Sequence, residues 1–372
     1  MRKLTYILSV LLSCLSVQAL IAYDDASDIV YSDGWDNMDN GGNGFGAWVM
    51  NSWSNVQSNY FGISSSTDND GISSTNNIDT DSVAFKIMNS TETNEYIEIF
   101  RYLNTPLNPG EKFSFKMDVN WRDGYSGIRL RDLGEITIFR LEVGDWQDGG
   151  GDATWVADTN EENRKINSEY SNDTQYLVTL NQLSPSNGNW NVIRTGGITD
   201  YDSGTYTGKV ASLQLYSSLV SSNLYSDIFF NNFSVDFIPD FDHYGNWISS
   251  YDLSVTNSLK SSDPDEDGLN NEIEFAYGSD PSTPDNDSFA PSYFIQNNNF
   301  IYIYRRWRAA YAEEYDITYD FQITDNLIYP DWTVTNITIS NSIDIDNMYT
   351  VTNSIPIDSN HKYIRHRLLF GN

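Results

Sequence analysis

From residue 23 to about residue 238 the chain repeats one pattern: a short apolar-rich run, then a cluster of Gly, Asn, Asp or Ser. "SVAFKIM" (82–88), "EYIEIFRYL" (95–103), "KFSFKMDVNW" (112–121), "EITIFRLEV" (135–143), "QYLVTLNQL" (175–183), "ASLQLYSS" (211–218) and "DIFFNNFSVDF" (227–237) are examples. In the third, Phe113, Phe115, Met117 and Val119 recur with a period of two, which puts them on one face of a strand. Many such runs with polar turns and no long helical period predict an antiparallel sandwich or jelly roll. The strands are too many for one immunoglobulin-type unit, so a jelly-roll or lectin-like sandwich is expected over 23–238.

The pattern changes at "FIPDFDHYGNWISSYDLS" (237–254), where Tyr244, Trp247, Ile248 and Tyr251 follow a three-four spacing. This predicts a short amphipathic helix. A second helix, "NNEIEFAYG" (270–278), is expected to close at Gly278. "SDPSTPDNDSFAPS" (279–292) reads as a linker. Strand-like runs then resume through "YFIQNNNFIYIYRRW", "YDITYDFQIT", "WTVTNITIS", "MYTVTNSI" and "KYIRHRLLF". The expected organisation is a signal peptide over 1–22, a sandwich over 23–238, helices and an acidic loop over 239–290, and a small β-sandwich module over 291–372.

The chain opens with Arg2 and Lys3, followed by an apolar run to Ile21, with Ala19 or Ala22 placed to precede a cleavage site. This is the pattern of a secretory signal. A transmembrane anchor is the alternative, but a polar, acidic chain follows with no basic stop-transfer cluster. Cys14 is the only cysteine, and "LLSC" around it resembles a lipoprotein box. Leu12 suits that box poorly and the apolar run continues past it, so ordinary cleavage and an extracellular location are expected. The mature chain would then have no disulfide, and an exported protein without one needs another staple, for which a metal is the candidate.

The formal charge of −31 excludes nucleic acid and anionic lipid surfaces as partners and suits divalent cations. Its densest concentration is "DPDEDGLNNEIE" (263–274), whose carboxylates would only repel one another without a cation. Set against an EF-hand-type loop, Asp263, Asp265 and Asp267 take positions 1, 3 and 5, and Gly268 takes the sharp turn at 6. Leu269 offers its carbonyl at 7, Asn271 stands at 9, and Glu274 at 12 can use both oxygens. Calcium, a hard cation that takes six to eight oxygens, is the cofactor this pattern predicts. A solvated acidic spacer is the alternative.

"DPDEDGLNNEIEFAYGSDP" also resembles the "DPDGDGLSNLLEYALGTDP" segment of secreted proteins of verrucomicrobial and planctomycete type, a segment similar to thrombospondin type-3 and dockerin-like calcium repeats. With its flanks "YGNWISSYDLS" and "FIYIYRRW", the resemblance covers about 240–372. "YSDGWDNMDNGGNGFGAW" (31–48) resembles the start of an uncharacterised sandwich domain in such proteins. The resemblance implies export and a module type, and it implies that Asp280 joins the metal. One loop is present where dockerins carry two, which speaks against a cohesin partner or a calcium-stacked rod.

Other constellations carry less. Asp33, Asp36, Asp39, Asn40 and Asn43 form either a second calcium site or a Gly/Asn-rich loop. Glu95 and Glu98 lie three apart, on opposite faces of a strand, which does not suit a shared cleft. His243, His361 and His366 form no metal or triad pattern. The basic runs 305–308 and 361–367 read as surface charge balance, with a strand pair exposing Arg to acidic neighbours or anionic glycans as the alternative. Trp53, Trp121, Trp146, Trp155 and Trp190 are core residues or sugar-stacking platforms. The expected protein is a secreted, calcium-binding, non-enzymatic surface or adhesion protein, with a glycan or cell-surface polymer as its partner. A polysaccharide-acting enzyme and a purely structural envelope protein are the alternatives.

Overall fold

A computed structural model describes residues 20–52, 61–67, 77–89, 96–119, 125–144, 151–156, 164–166, 174–196, 199–218, 226–334, 337–343, 347–357 and 363–370. The chain is mainly β, and the strand pairs are antiparallel. One sheet runs Asp200–Thr207, Asn187–Thr195, Thr174–Gln182, Glu111–Val119, Ser226–Phe237, Ala84–Asn89, Phe61–Ser64, and the short Ala22–Asp24 strand also pairs with Ser226–Phe237. The facing sheet runs Arg164–Ile166, Gly151–Val156, Thr137–Gly144, Tyr125–Arg131, Ser212–Ser218, Tyr96–Tyr102, Val49–Ser52.

Alternation explains why these runs form a sandwich. Phe113, Phe115, Met117 and Val119 are fully buried, with Val178 and Leu180 of the adjoining strand. Ile97, Ile99, Ile128, Leu130, Phe139, Leu141, Leu213 and Leu215 of the other sheet belong to the same core. Trp190 is core as well: it lies beneath Gly204, where a Cβ would come within 2.8 Å of the indole. Trp53, Trp121, Trp146 and the side chain of Trp155 lie outside the described residues.

The C-terminal module is a four-stranded sheet, Ser292–Gln296, Asn299–Trp307, Met348–Pro356, Thr338–Ile343, and a two-stranded ribbon, Ile317–Thr324 with Tyr363–Phe370. Phe321, Ile323 and Ile355 form its own apolar cluster. Four short helices accompany it: α1 (His243–Ser249), α2 (Asn271–Tyr277), α3 (Asn286–Phe289) and α4 (Ala309–Glu314). The spacing around Trp247 foretold α1. Nothing in the hydrophobic pattern announced α3, which lies in the expected linker, or α4, whose Tyr311 is buried.

The segment between the sandwich and the C-terminal strands packs against both. Phe275 and Ala276 of α2 share a cluster with Ile317, and Tyr244, Trp247, Trp307, Tyr315, Tyr319, Leu368 and Phe370 pack against it. The Trp307 indole N–H donates to the Phe275 carbonyl at 2.9 Å, and the Tyr319 hydroxyl donates to that of Ala276 at 2.5 Å. On the sandwich side, the Tyr311 hydroxyl donates to Glu111 Oε1 at 2.6 Å, and the Tyr311 ring meets Phe237 edge-on at 5.3 Å. Gly110 lies so close to His243 that a Cβ there would fall 2.3 Å from the imidazole.

Candidate functional site

The acidic loop is built by its own backbone. Gly268 has a φ of 97°, a conformation that L side chains rarely adopt. This turn aims backbone N–H groups at the carboxylates: Gly268 donates to Asp263 Oδ2 at 3.0 Å, and Leu269 to Asp267 Oδ1 at 2.8 Å. Asp267 N–H is shared between Asp263 Oδ1 and Asp265 Oδ1, each at 3.2 Å. α2 follows at once. Asn270, one residue beyond Leu269, caps it by accepting from Ile273 N at 3.0 Å. Gly278 ends it in the left-handed conformation and donates to the Glu274 carbonyl.

Carboxylate oxygens of Asp263, Asp265 and Asp267 lie within 4.8 Å of one another, and so do those of Asp267, Glu274 and Asp285. Asp267 therefore bridges two acidic groups. Four of the expected metal residues, Asp263, Asp265, Asp267 and Glu274, come together. Leu269 enters through the hydrogen bond its N–H makes to Asp267. Asn271 is fully buried, and its amide nitrogen is held by the carbonyls of Asn257 at 2.7 Å and Leu259 at 2.8 Å. Its Oδ1 has no hydrogen-bond partner.

Asp285 was not read as a site residue from sequence. It lies eighteen residues beyond Asp267, yet its N–H donates to Asp267 Oδ2 at 3.2 Å and its Oδ2 accepts from Asp280 N at 3.2 Å. Asp280, the residue implied by the resemblance, accepts from the N–H and hydroxyl of Ser282 at 2.9 and 2.6 Å through Oδ1. The signal was present in "DPSTPDND": an Asp a few residues past the helix, in a stretch rich in turn residues that brings the chain back to the loop.

The site is strained electrostatically. Glu274 is fully buried, and burial followed by repulsion from Asp265, Asp267 and Asp285 pushes its carboxyl up to about 8. Asp265 and Asp285 are raised for the same reasons, burial first and then their acidic neighbours. Asp265 Oδ2, Glu274 Oε2 and Asp285 Oδ1 are buried and accept no hydrogen bond. Leaving a buried acceptor unsatisfied costs about 1–3 kcal/mol, more for a charged group.

The 31–48 loop is organised differently. Arg101, fully buried, pairs with Asp24, donates to the Gly41 carbonyl at 2.7 Å and lies over the Trp48 ring at 4.6 Å. A protein cation thus supplies the positive charge at the heart of this loop. Asp39 accepts from Asp36 N at 2.7 Å, and Asn43 exchanges backbone bonds with Tyr23. Among the described residues, Asp33, Asp36 and Asp39 belong to neither acidic group. In the second basic run, Arg367 pairs with Asp320, and Arg365 lies over the Trp332 ring at 4.1 Å.

On the outer face of the sheet that carries the Tyr96–Tyr102 strand, Glu98, Tyr216, Gly127 and Glu142 stand side by side across four strands. The Tyr216 hydroxyl donates to Glu142 Oε2 at 2.5 Å. Glu98 accepts from the Gln214 amide. Glu95 lies outside the described residues.

No family model and no curated protein matches the sequence. Among solved structures, a Bauhinia forficata lectin in complex with GalNAc overlaps 51% of this chain and 99% of its own, at 8% identity and a TM-score of 0.31. A protein described with endo-acting O-glycanases of the human gut microbiota overlaps 42% and 80%, at 11% identity and 0.29. A tetrameric galectin from the ball sponge Cinachyrella overlaps 36% and 99%, at 10% identity and 0.27. Overlaps this slight carry no conclusion about what the chain binds or does.

Proposed function

We propose that this chain is an exported, calcium-binding, non-enzymatic β-protein that binds glycan at a surface, and that calcium fixes the relation between its two β-modules. The observation that carries the calcium reading is the set of partnerless buried oxygens on Asp265, Glu274 and Asp285 within the two acidic groups. Calcium accepts several hard oxygen ligands at flexible angles, and it would turn the repulsion among these carboxylates into attraction. Asp263, Asp265, Asp267, the Leu269 carbonyl, Asn271 and Glu274 are the residues proposed to hold it, with Asp285 added. Calorimetry on the mature chain tests this: calcium should bind, and Asp265→Ala or Glu274→Gln should each weaken it roughly tenfold to a hundredfold. Absence of binding would reduce the run to an acidic spacer.

The glycan reading draws on the aromatic content, 14% of residues, and on a net charge that turns polyanions away. A glycan array on the mature protein tests it. Export is tested by N-terminal sequencing, with starts at Leu20 or Tyr23 expected. The fold favours Leu20, because Ile21 donates to the Val235 carbonyl and Ala22 pairs with Val235. Among the described residues no helix is long and apolar enough to cross a membrane.

A polysaccharide-acting enzyme has one observation in its favour, the Glu98–Tyr216–Glu142 row. Both carboxylates are already engaged, Glu98 by Gln214 and Glu142 by Tyr216 and Arg140. Release of reducing ends from polysaccharide by the wild type, lost in Glu142→Gln, would establish the enzyme instead.

A further inference from the structure

A cavity of about 200 Å³ opens where the sandwich, α1, α2 and the C-terminal module meet. That is room for about seven waters, the scale of a single sugar ring. Trp247, Phe275, Trp307 and Tyr311 form its aromatic walls, and Asn108 and Pro109 bring the sandwich to its rim. An aromatic wall suits the C–H face of a pyranose, as it suits any flat apolar surface.

The polar groups distinguish between those occupants. Asn347 lines the cavity at only 5% exposure, and among the described residues its side-chain amide makes no hydrogen bond. Its backbone carbonyl accepts from Arg308 N at 3.0 Å. Asn246, from α1, and Tyr315 also line the cavity, and among the described residues neither the Asn246 amide nor the Tyr315 hydroxyl makes a hydrogen bond. A purely apolar occupant would leave these groups unsatisfied, so the site is matched to a molecule with hydroxyls around a hydrophobic ring.

Charge narrows the class further. No Asp, Glu, Lys or Arg lines the cavity among the described residues. Its one histidine, His243, faces Phe237, Phe241 and Tyr315 and contacts Glu314 at 3.3 Å. Burial holds this imidazole down to about 4, so it is neutral at pH 7.

We infer that this junction cavity is the glycan-binding site and that it takes one neutral pyranose, the terminal sugar of a glycan, stacked on the aromatic wall and hydrogen-bonded by Asn246, Asn347 and Tyr315. The inference rests on the glycan reading above and gives it a location that sequence did not suggest, since the tryptophans singled out there fall between residues 53 and 190.

Two variants spare the fold. Asn246 is on a half-exposed face of α1, so Asn246→Ala removes only the amide. Asn347 has a φ of 65°, so Asn347→Gly keeps the backbone conformation and removes the side chain. The experiment is a glycan array on the mature wild type under saturating calcium, followed by titration of the neutral methyl pyranoside that matches the terminal sugar of the best hit. The sugar should perturb tryptophan fluorescence, and each variant, checked for an unchanged melting transition, should bind roughly tenfold more weakly. An empty array overturns the glycan reading and this site with it. Array binding that both variants retain at wild-type affinity overturns the cavity while leaving the glycan reading in place. Binding confined to acidic glycans overturns the neutral ligand class.

Discussion

A half-buried histidine and a buried glutamate show how far a side chain's surroundings decide its chemistry. His366 is enclosed by Tyr302, Tyr304 and Phe321, with its Nδ1 3.1 Å from the Tyr302 hydroxyl. Burial lowers its pKa to about 4. Unfolded, it would titrate near 6.5, so between those values the unfolded chain binds more protons and stability falls as pH drops from about 6.5 towards 4. In calcium-saturated protein, His366→Phe should flatten the fall in melting temperature over that window by the equivalent of about 1 kcal/mol per pH unit. An unchanged slope would show that this imidazole is not held neutral. Glu274 is the second case. Position 12 of a loop pattern marked it in the sequence, but its complete burial and its pairing with Asp285 depend on how the chain returns after α2, which no local pattern states.

At the scale of elements, α2 links the acidic loop to the C-terminal module. Gly278 ends it, and a Cβ there would meet the Met348 sulfur at 2.4 Å. Its φ of 69° also disfavours any side chain. Gly278→Ala should therefore cost about 1–3 kcal/mol, read as a lowered melting temperature of the calcium-bound chain. A change within about 0.5 kcal/mol would mean that α2 is not seated on this module. The strands were legible because their alternation survives in the sandwich: the runs read at 82–88, 112–121 and 175–183 coincide with the strands Ala84–Asn89, Glu111–Val119 and Thr174–Gln182, and the face assigned to Phe113 through Val119 is the buried one. α4 was not legible. "AAYAEE" is too short to show a helical period, and Tyr311 is buried by contacts with Glu111 and Phe237, far away in sequence. Asp285 was only partly legible: its Asp280 partner is local, but its place beside Asp267 and Glu274 depends on how the chain returns to the loop.

For the whole molecule, the junction concentrates the consequences. α1, α2, the acidic loop, the aromatic cavity and the Glu111–Tyr311 contact all lie between the sandwich and the C-terminal strands. Glu111 also accepts from the backbone and side-chain nitrogens of Asn108 and is buried, so Tyr311→Phe removes one of its donors and should loosen the junction by about 1–3 kcal/mol. The separate melting of two transitions in that variant, where the wild type shows one, would report it. The sandwich has its own core of buried residues and should survive loss of the junction.

The central claim is that calcium at the acidic loop holds this junction closed, and limited proteolysis of the mature chain with calcium or with chelator tests it most directly. Without calcium, the carboxylates of Asp263, Asp265, Asp267, Glu274 and Asp285 repel one another at the foot of α2, and local opening becomes easier. Cleavage within about 255–290 should rise sharply in chelator, leave both β-modules as resistant fragments, and be reproduced in calcium by Asp265→Ala. Equal cleavage of the wild type in the two conditions, with no calcium bound, would contradict the account.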